Sequence, residues 1–389
     1  MAEISTILGS GVIGRMIARE LYRQGRPHRV VDRHGRGSAS TGAEAVAADV
    51  LDPAGLREAI AGSDVVYCAI GLPYSATVWE EQWPLAAASI IDACARTGSR
   101  LVFFDNVYAY GAVDGWMTED TPYAATSRKG RVRMRVATEI MDAHRRGDIQ
   151  ACIARSADFY GPDRTPSMYM AMLVEPLLKG GTPRWIADPT VPHSLTYTPD
   201  AGRYTALLGM EESAYGQVWH LPTVRPPLSA EILAQEALRR LDRTGTVQVI
   251  PGFMRTILEW FIAPLRESKE LSYQITQPYL FSSEKIERQF GWTATPLVQA
   301  DLGMEGDSID EDGDLVVVYR ATMPTDAHVV AGLLRDNGVD ASVMDEASVG
   351  WNPLASHALG GVRVMVRSTD LASARAVLDA RSDDEAEQH

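Results

Sequence analysis

The sequence predicts an α/β protein: a doubly wound parallel sheet, then a mostly helical lobe, then a small C-terminal α+β domain. Three observations carry that expectation. Short apolar runs alternate with helix-length segments through the first third, the order of a parallel sheet covered on both faces. A glycine turn, Gly9, Gly11 and Gly14, stands directly between the first apolar run and the first helical segment. After an acidic stretch, GMEGDSIDEDGD, the pattern changes to β-α-β-β-α.

Taken in order, STILGSGVIGRMIARELYRQG reads as strand, tight turn and helix. Gly9 permits the turn, Gly11 lets backbone approach a pyrophosphate, and Gly14 lets helix pack on strand. The amides around Val12 and Ile13 would face that pyrophosphate at the positive end of the helix. A second strand, HRVVD, ends in Asp32, eighteen residues beyond Gly14, where a carboxylate can accept from the adenosine ribose hydroxyls. Asp32 favours NAD slightly over NADP, while Arg33 and Arg36 follow at once and can bind a 2′-phosphate. A third strand ends near Asp49 and Val50, a fourth, VVYCAI, runs into Ala69, Ile70 and Gly71, and a helix is expected around Pro84–Thr97. The strand RLVFFDNV then ends at Asn106. Ligands in such Rossmann-type sheets bind beyond the carboxyl ends of the strands, which places these residues around NAD(P).

Bulk properties narrow the class. A net charge of −14 argues against nucleic acid, which requires a basic surface. Cys68, Cys94 and Cys152 sit in apolar runs without metal-ligand or pairing spacing, so reduced buried thiols and a cytoplasmic location are expected, and no metal site. The start, MAEISTILGSG, lacks a basic region followed by a signal-length apolar run. The apolar stretch GFMRTILEWFIAPL is broken by Arg255 and Glu259 and is too short to span a bilayer. It reads as lobe packing or as an amphipathic surface helix.

The segments GSGVIG, the DV of AADV, DNVYAYG, TEDTP, RSADFYGP and FSSEKIERQFGW occur in the order of the extended short-chain dehydrogenase/reductase family. The chain resembles the sugar-nucleotide epimerase and dehydratase branch of that family over roughly residues 1–302. The resemblance implies a nicotinamide cofactor, a small-molecule substrate and, commonly, a homodimer. It also implies a serine or threonine four residues before the tyrosine of the YG pair, and a tyrosine and lysine four residues apart on the following helix. Here these positions hold Asn106, ahead of Tyr110-Gly111, and Lys129 and Arg133, counted from Glu119. An alternative alignment on Glu139 gives Arg131 and Arg135, and neither restores a tyrosine.

Residues 129–144 read as helix, so Lys129 and Arg133 share one face. Arg133 can donate to a ribose diol but stays charged. Lys129, expected beside that guanidinium and an oxidised nicotinamide, would release its proton more readily and serve as acid or base while also touching cofactor. Asn106 can polarise a carbonyl through its amide, and Tyr108 is the best substitute proton donor among the neighbouring tyrosines. The competing reading is that SRKGRVRMR is only a solvated basic helix face.

The lobe beyond RSADFYGPDRTPS offers Asp158, Tyr160 and His193 as residues that can face substrate. The expected divisions are a core over 1–165, a substrate lobe over 166–302 with segments returning to the core, a linker over 303–313, the small domain over 314–380 and an acidic tail over 381–389. The helix motif AHVVAGLLRDNGV and the strand LGGVRV resemble a small bacterial domain family of signal-transducing description, ferredoxin-like in style. Two functions follow as expectations. One is an NAD(P)-dependent oxidoreductase or epimerase-like enzyme acting on a small alcohol or carbonyl. The other is a catalytically silent NAD(P)-binding sensor that signals through the small domain.

Overall fold

The first strand, β1 (Ile4–Leu8), turns at Gly9 into helix α1 (Val12–Arg23) and returns through β2 (His28–Asp32). The computed structural model describes residues 4–35, 41–163, 165–251, 267, 269–304, 315–321, 324–344, 362–367, 370–371, 373–375 and 377–378. The expected lobe segment 252–265, the loop 349–361 and the tail 381–389 lie outside these residues. The chain divides into two compact units, Met1–Met304 and Glu305–His389.

In the first unit β3 (Glu44–Ala47), α2 (Pro53–Ile60), β4 (Ser63–Cys68), α3 (Ala76–Thr97) and β5 (Arg100–Asn106) continue the alternation. After a short β6 (Trp116–Met117) come α4 (Arg128–Arg146) and β7 (Ala151–Ser156). With β11 (Val218–His220) these build a seven-stranded sheet in the order β3-β2-β1-β4-β5-β7-β11, every neighbouring pair parallel. The chain leaves β1 toward one edge and re-enters at β4 on its other side. That reversal opens the crevice in which doubly wound sheets bind ligands.

Both faces of the sheet are covered. On one, Trp79, Trp83, Ile90 and Cys94 of α3 and Val132, Val136 and Ile140 of α4 pack on Leu8, Val66, Phe103 and Ile153. On the other, Ile13, Ile17 and Leu21 of α1 meet Ala201, Tyr204 and Leu208 of α6 (Thr198–Leu208) over Ile7, Val30 and Val102. Helix α3 begins eight residues before the start expected from sequence and carries Pro84 in its interior. An interior proline costs roughly 3 kcal/mol. Burying Trp79 and Trp83, which extend the apolar face of α3 by two turns, returns more, on the order of 25 cal/mol per Å² over about 200 Å² each. The helix therefore runs through. The thiols of Cys68, Cys94 and Cys152 are buried and free, and burial pushes each up to about 12.

The lobe interleaves with the sheet side. β8 (Asp158–Tyr160) pairs with β10 (Leu195–Tyr197), β9 (Arg184–Trp185) with β12 (Gln248–Val249), and β13 (Leu280–Phe281) with β6. A π-helical turn (Met170–Val174) leads into α5 (Glu175–Leu178), and α7 (Ala230–Arg240), α8 (Tyr273–Thr276) and α9 (Glu284–Phe290) complete the unit. Leu173, Leu177, Trp185, Leu195 and Leu233 form its separate core.

In the second unit β14 (Leu315–Ala321), α10 (Pro324–Asp336), β15 (Ala341–Met344) and β16 (Val362–Arg367) give an antiparallel sheet ordered β14-β16-β15. Ala327, Val330, Ala331 and Leu334 of α10 lie on Val364 and Val366. This is the α+β arrangement expected from the sequence.

Candidate cofactor and active site

The glycine turn is closed at two glycines and open at the third. Gly9 has φ +106°, and a Cβ there would stand 2.8 Å from the Ala69 carbonyl oxygen. A Cβ on Gly14 would fall 1.9 Å from the Gly9 oxygen, so α1 and the turn are in backbone contact. A Cβ on Gly11 would meet nothing within 4 Å. Gly11 is the N-cap of α1, and no side chain caps that end. The amides at Val12 and Ile13 thus begin a helix whose positive end opens on accessible space, the arrangement an anion requires. At the end of β2, Asp32 is half-buried and one carboxylate oxygen accepts the His34 amide at 2.7 Å, while Arg33 is exposed beside it. Asp49 turns its carboxylate to the Leu51 amide (2.9 Å), and Val50 packs on the core. Ala69 is tied to the Leu8 carbonyl, and Gly71 is exposed with open space around it. The residues read from sequence as cofactor contacts are therefore gathered at the carboxyl ends of β1, β2, β3 and β4. Their shape and charge fit a dinucleotide.

Helix α4 presents Lys129 and Arg133 inward, both buried, while Arg131 and Arg135 face solvent. The basic run is thus not simply a solvated face. The helix can come close because residue 130 is glycine, whose Cβ would lie 2.7 Å from the Tyr108 carbonyl oxygen. Arg133 turns to the sheet. Its Nε donates to Asp105 Oδ1 at 2.8 Å, its Nη2 reaches the same oxygen, and its guanidinium lies 4.4 Å from the Trp83 ring. From the other side Arg155 donates to Asp105 Oδ2 at 2.8 Å and to the Tyr123 hydroxyl at 2.8 Å. Burial alone would push the Asp105 carboxyl up, but the two guanidiniums outweigh it and hold it below its ordinary range. The expected ribose clamp is consequently engaged beneath the site by an aspartate of the DNVYAYG segment.

Lys129 differs from expectation in its surroundings. Its ammonium lies not against the Arg133 guanidinium but between two carboxylates, Glu267 at 2.7 Å and Glu270 at 3.2 Å, with the Glu267 carbonyl oxygen at 2.7 Å. Its three N–H donors are thereby matched, and it also rests 4.7 Å from the centre of the Tyr74 ring. The same carboxylates close two helix ends. Glu267 accepts from the first amide of α3, Ala76 (2.8 Å), and Glu270 accepts from the first amides of α4, Arg128 (2.5 Å) and Lys129 (3.2 Å). Acidic groups at helix N-termini with a lysine between them form a mutually neutralising cluster.

Beside it, Asn106 Oδ1 accepts the Tyr108 amide at 3.1 Å, which leaves its NH₂ group as the end able to donate to a ligand. The Tyr108 ring stacks on Trp79, and its hydroxyl lies 3.4 Å from that of Tyr74, a 39% exposed residue on the β4–α3 loop. Asp158 is paired with His193 Nε2 at 2.9 Å, and His193 Nδ1 faces the Gln274 carbonyl at 2.9 Å. Of the substrate candidates, Asp158 retains some exposure, whereas His193 is buried and can act only through it. Tyr160 is fully buried in the lobe core beside Tyr197, so it supports the site from behind rather than facing a ligand. Tyr110 donates to His220 Nε2 at 2.6 Å, and His220 Nδ1 donates to the Ser282 carbonyl at 2.8 Å. Burial, then the charge of Arg155, keeps that imidazole neutral, well below the ordinary histidine range.

Sequence reading did not single out Tyr74, Asp105, Arg155, Glu267 or Glu270. Asp105 and Arg155 both lie in segments that carry the family likeness, so a signal existed for them. The glutamates lie 138 and 141 positions from Lys129, and nothing local pairs them with it. Among the described residues no group of three or more His, Cys, Asp or Glu can hold a metal ion, and no helix is long and apolar enough to cross a membrane.

Comparison with known proteins gives the same outline. Comparison with curated sequences found no match. Among solved structures, dTDP-glucose 4,6-dehydratase from Bacillus anthracis in complex with NAD superposes with a TM-score of 0.64 at 14% identity, covering 78% of this chain and 95% of that one. UDP-glucuronic acid 4-epimerase from Bacillus cereus in complex with NAD gives 0.62 at 16%, covering 78% and 97%. UDP-glucose 4-epimerase from Thermotoga maritima with UDP-glucose also gives 0.62 at 16%, with 78% and 97% covered. These likenesses show the fold. Residues 315–382 match the family described as "Putative prokaryotic signal transducing protein". Residues 6–204 match the NAD dependent epimerase/dehydratase family, and the chain belongs to that family.

Proposed function

We propose that the chain is an NAD(P)-dependent oxidoreductase or epimerase-like enzyme acting on a small alcohol or carbonyl compound. The observation that carries the reading is the glycine turn, shut at Gly9 and Gly14 yet open at Gly11 before an uncapped helix. Only a ligand that needs backbone amides at close range gains from that shape. When bound, the nicotinamide would supply or accept hydride. Amides at Val12 and Ile13 would bind the pyrophosphate, and Asp32 would accept from the adenosine ribose, which favours NAD slightly, with Arg33 at hand for a 2′-phosphate. Asn106 would orient the substrate oxygen through its NH₂ group, and Asp158, fixed by His193, would face the substrate from the lobe.

Lys129 enters this reading as a fixed ammonium. Two carboxylates within 3.2 Å and the Glu267 carbonyl oxygen take up its three donors, so its part is to hold position. Arg133 supports the site through Asp105. The engagement of both residues in ion pairs also favours a second reading, a silent dinucleotide-binding sensor.

Calorimetric titration of the full chain with NAD⁺, NADH, NADP⁺ and NADPH separates the two. Similar affinities for oxidised and reduced forms support the enzyme. A preference above about 100-fold for one redox state, near 2.8 kcal/mol, with altered hydrogen exchange in the second unit, supports the sensor. No binding of any of the four refutes both.

A further inference from the structure

A hydroxyl pair stands next to Asn106, the residue proposed to orient the substrate oxygen, and neither member is on the α4 face expected from the sequence to carry the chemistry. Tyr74 comes from the loop between β4 and α3, Tyr108 from the turn after β5, and their oxygens are 3.4 Å apart. Three contacts fix the pair. Trp79 meets the Tyr74 ring edge-on at 5.7 Å and stacks on Tyr108 at 6.1 Å. Asn106 holds the Tyr108 amide. The Lys129 ammonium, itself held by Glu267 and Glu270, presses on the face of the Tyr74 ring at 4.7 Å. A cation on an aromatic face attracts the ring and stabilises any negative charge the phenol acquires. Of the two hydroxyl-bearing rings Tyr74 is the more accessible, Tyr108 being half-buried.

We propose that Tyr74 gives the proton to the substrate oxygen, with Tyr108 behind it as relay and Lys129 as the cation that fixes its ring. The proposal rests on the oxidoreductase reading above and adds a direction, reduction of a carbonyl. Burial, aided by Asp158, Glu270 and Glu267 and opposed by the Tyr108 contact, pushes the Tyr74 phenol up to about 12. Burial pushes Tyr108 well above its ordinary value. Both therefore hold protons near neutrality and are donors rather than bases, and a phenol still readily protonates an alkoxide. A reduced nicotinamide, when bound, would supply hydride to the carbonyl carbon; the carbonyl π pair would move to oxygen, and the Tyr74 O–H would transfer its proton there. The phenolate takes a proton from Tyr108, which recovers one from water. The carbonyl would end as an alcohol, its two electrons drawn from the cofactor's hydride.

The test uses the full chain with tyrosines ¹³C-labelled at the phenolic carbon, and Tyr74→Phe to assign the Tyr74 signal while keeping the ring under Lys129. Cofactor binding is followed separately by calorimetry. The Tyr74 signal should shift on binding, and its pH midpoint should fall by about one unit or more with oxidised relative to reduced cofactor, because a pyridinium charge nearby favours the phenolate. Tyr74→Phe should bind cofactor like wild type and reduce 4-nitrobenzaldehyde about 100-fold more slowly. Cofactor binding that leaves the Tyr74 signal unmoved overturns the proposal, as does wild-type reduction by Tyr74→Phe. Absence of cofactor binding in the wild type would instead overturn the oxidoreductase reading, and the proposal with it.

Discussion

Replacing Gly11 and Gly14 by alanine, one at a time, separates the two tasks of the glycine turn. At Gly14 the new Cβ would stand 1.9 Å from the Gly9 oxygen. An ordinary nonbonded separation is about 3.5 Å, so α1 must move away from the turn by about 1.5 Å, and overpacking of this kind costs roughly 1–3 kcal/mol. At Gly11 the φ of −69° suits any residue and the Cβ meets nothing within 4 Å, so the fold should lose less than about 1 kcal/mol, the difference between glycine and alanine at an N-cap. Binding should respond in the opposite order. The Gly11 methyl would occupy the space through which a pyrophosphate approaches the α1 amides. Losing one charge-assisted hydrogen bond of about 1.5–3 kcal/mol weakens binding roughly 10- to 150-fold. Thermal unfolding by circular dichroism and cofactor Kd by fluorescence titration read the two effects. Gly14→Ala should melt several degrees lower, whereas Gly11→Ala should melt like wild type and bind poorly. A Gly11→Ala protein with wild-type affinity would refute the placement of the pyrophosphate, and with it the observation on which the proposed function rests.

Other perturbations test the ion pairs and the cofactor preference. Asp32→Ala should weaken NAD binding about tenfold and leave NADP less affected or improved, since it removes both the ribose acceptor and the repulsion of a 2′-phosphate; paired calorimetric titrations check this. Lys129→Met strands Glu267 and Glu270 at two helix ends and should destabilise by about 3 kcal/mol in urea denaturation, with Lys129→Met/Glu270→Gln recovering part of the loss. Arg155→Ala leaves the fully buried Asp105 with one partner and should cost roughly 3–5 kcal/mol by the same assay. Because the folded Asp105 carboxyl titrates below its unfolded value, its contribution to stability is present above about pH 4 and is lost as pH falls below that. For His220 the folded imidazole stays neutral well below the ordinary range, so the unfolded chain binds the extra proton. Stability should therefore drop by up to about 1.4 kcal/mol per pH unit below roughly pH 6.5, and His220→Asn should flatten that slope in urea titrations between pH 7 and 5.

The sheet was legible because its signals are local. β1, the glycine turn, α1 and β2 each announce themselves within a few residues, and Asp32 falls at a strand end by counting. Helix α4 was legible from its periodicity, and so was the inward face of Lys129 and Arg133. The start of α3 was not, because Pro84 is a strong local stop signal while the burial of Trp79 and Trp83 that outweighs it is a property of the assembled core. The surroundings of Lys129 failed for the same reason. Four residues along α4 place Arg133 nearest in sequence, but that guanidinium turns down to Asp105, and the groups that reach the ammonium come from the far end of the first unit.

These charges follow a common logic. Two parallel helices, α3 and α4, bring their positive N-termini to the carboxyl edge of the sheet, and Lys129 adds a full charge between them. An arrangement of that kind demands an anion. Glu267 supplies one to Ala76 and Lys129, and Glu270 supplies one to Arg128 and Lys129, so the demand is met within the chain. One layer below, Asp105 does the same for Arg133 and Arg155. Both inward-facing cations of α4, Lys129 and Arg133, are thus paired with carboxylates, and the proposal above assigns the proton transfer to the hydroxyls of Tyr74 and Tyr108. On the proposal above, Lys129 acts by fixing the Tyr74 ring, 4.7 Å from its ammonium. Lys129→Arg, which keeps the charge but alters its geometry, should then disturb the Tyr74 signal and the rate together while leaving cofactor affinity unchanged. A rate that falls with an undisturbed Tyr74 signal would return the proton transfer to Lys129 itself.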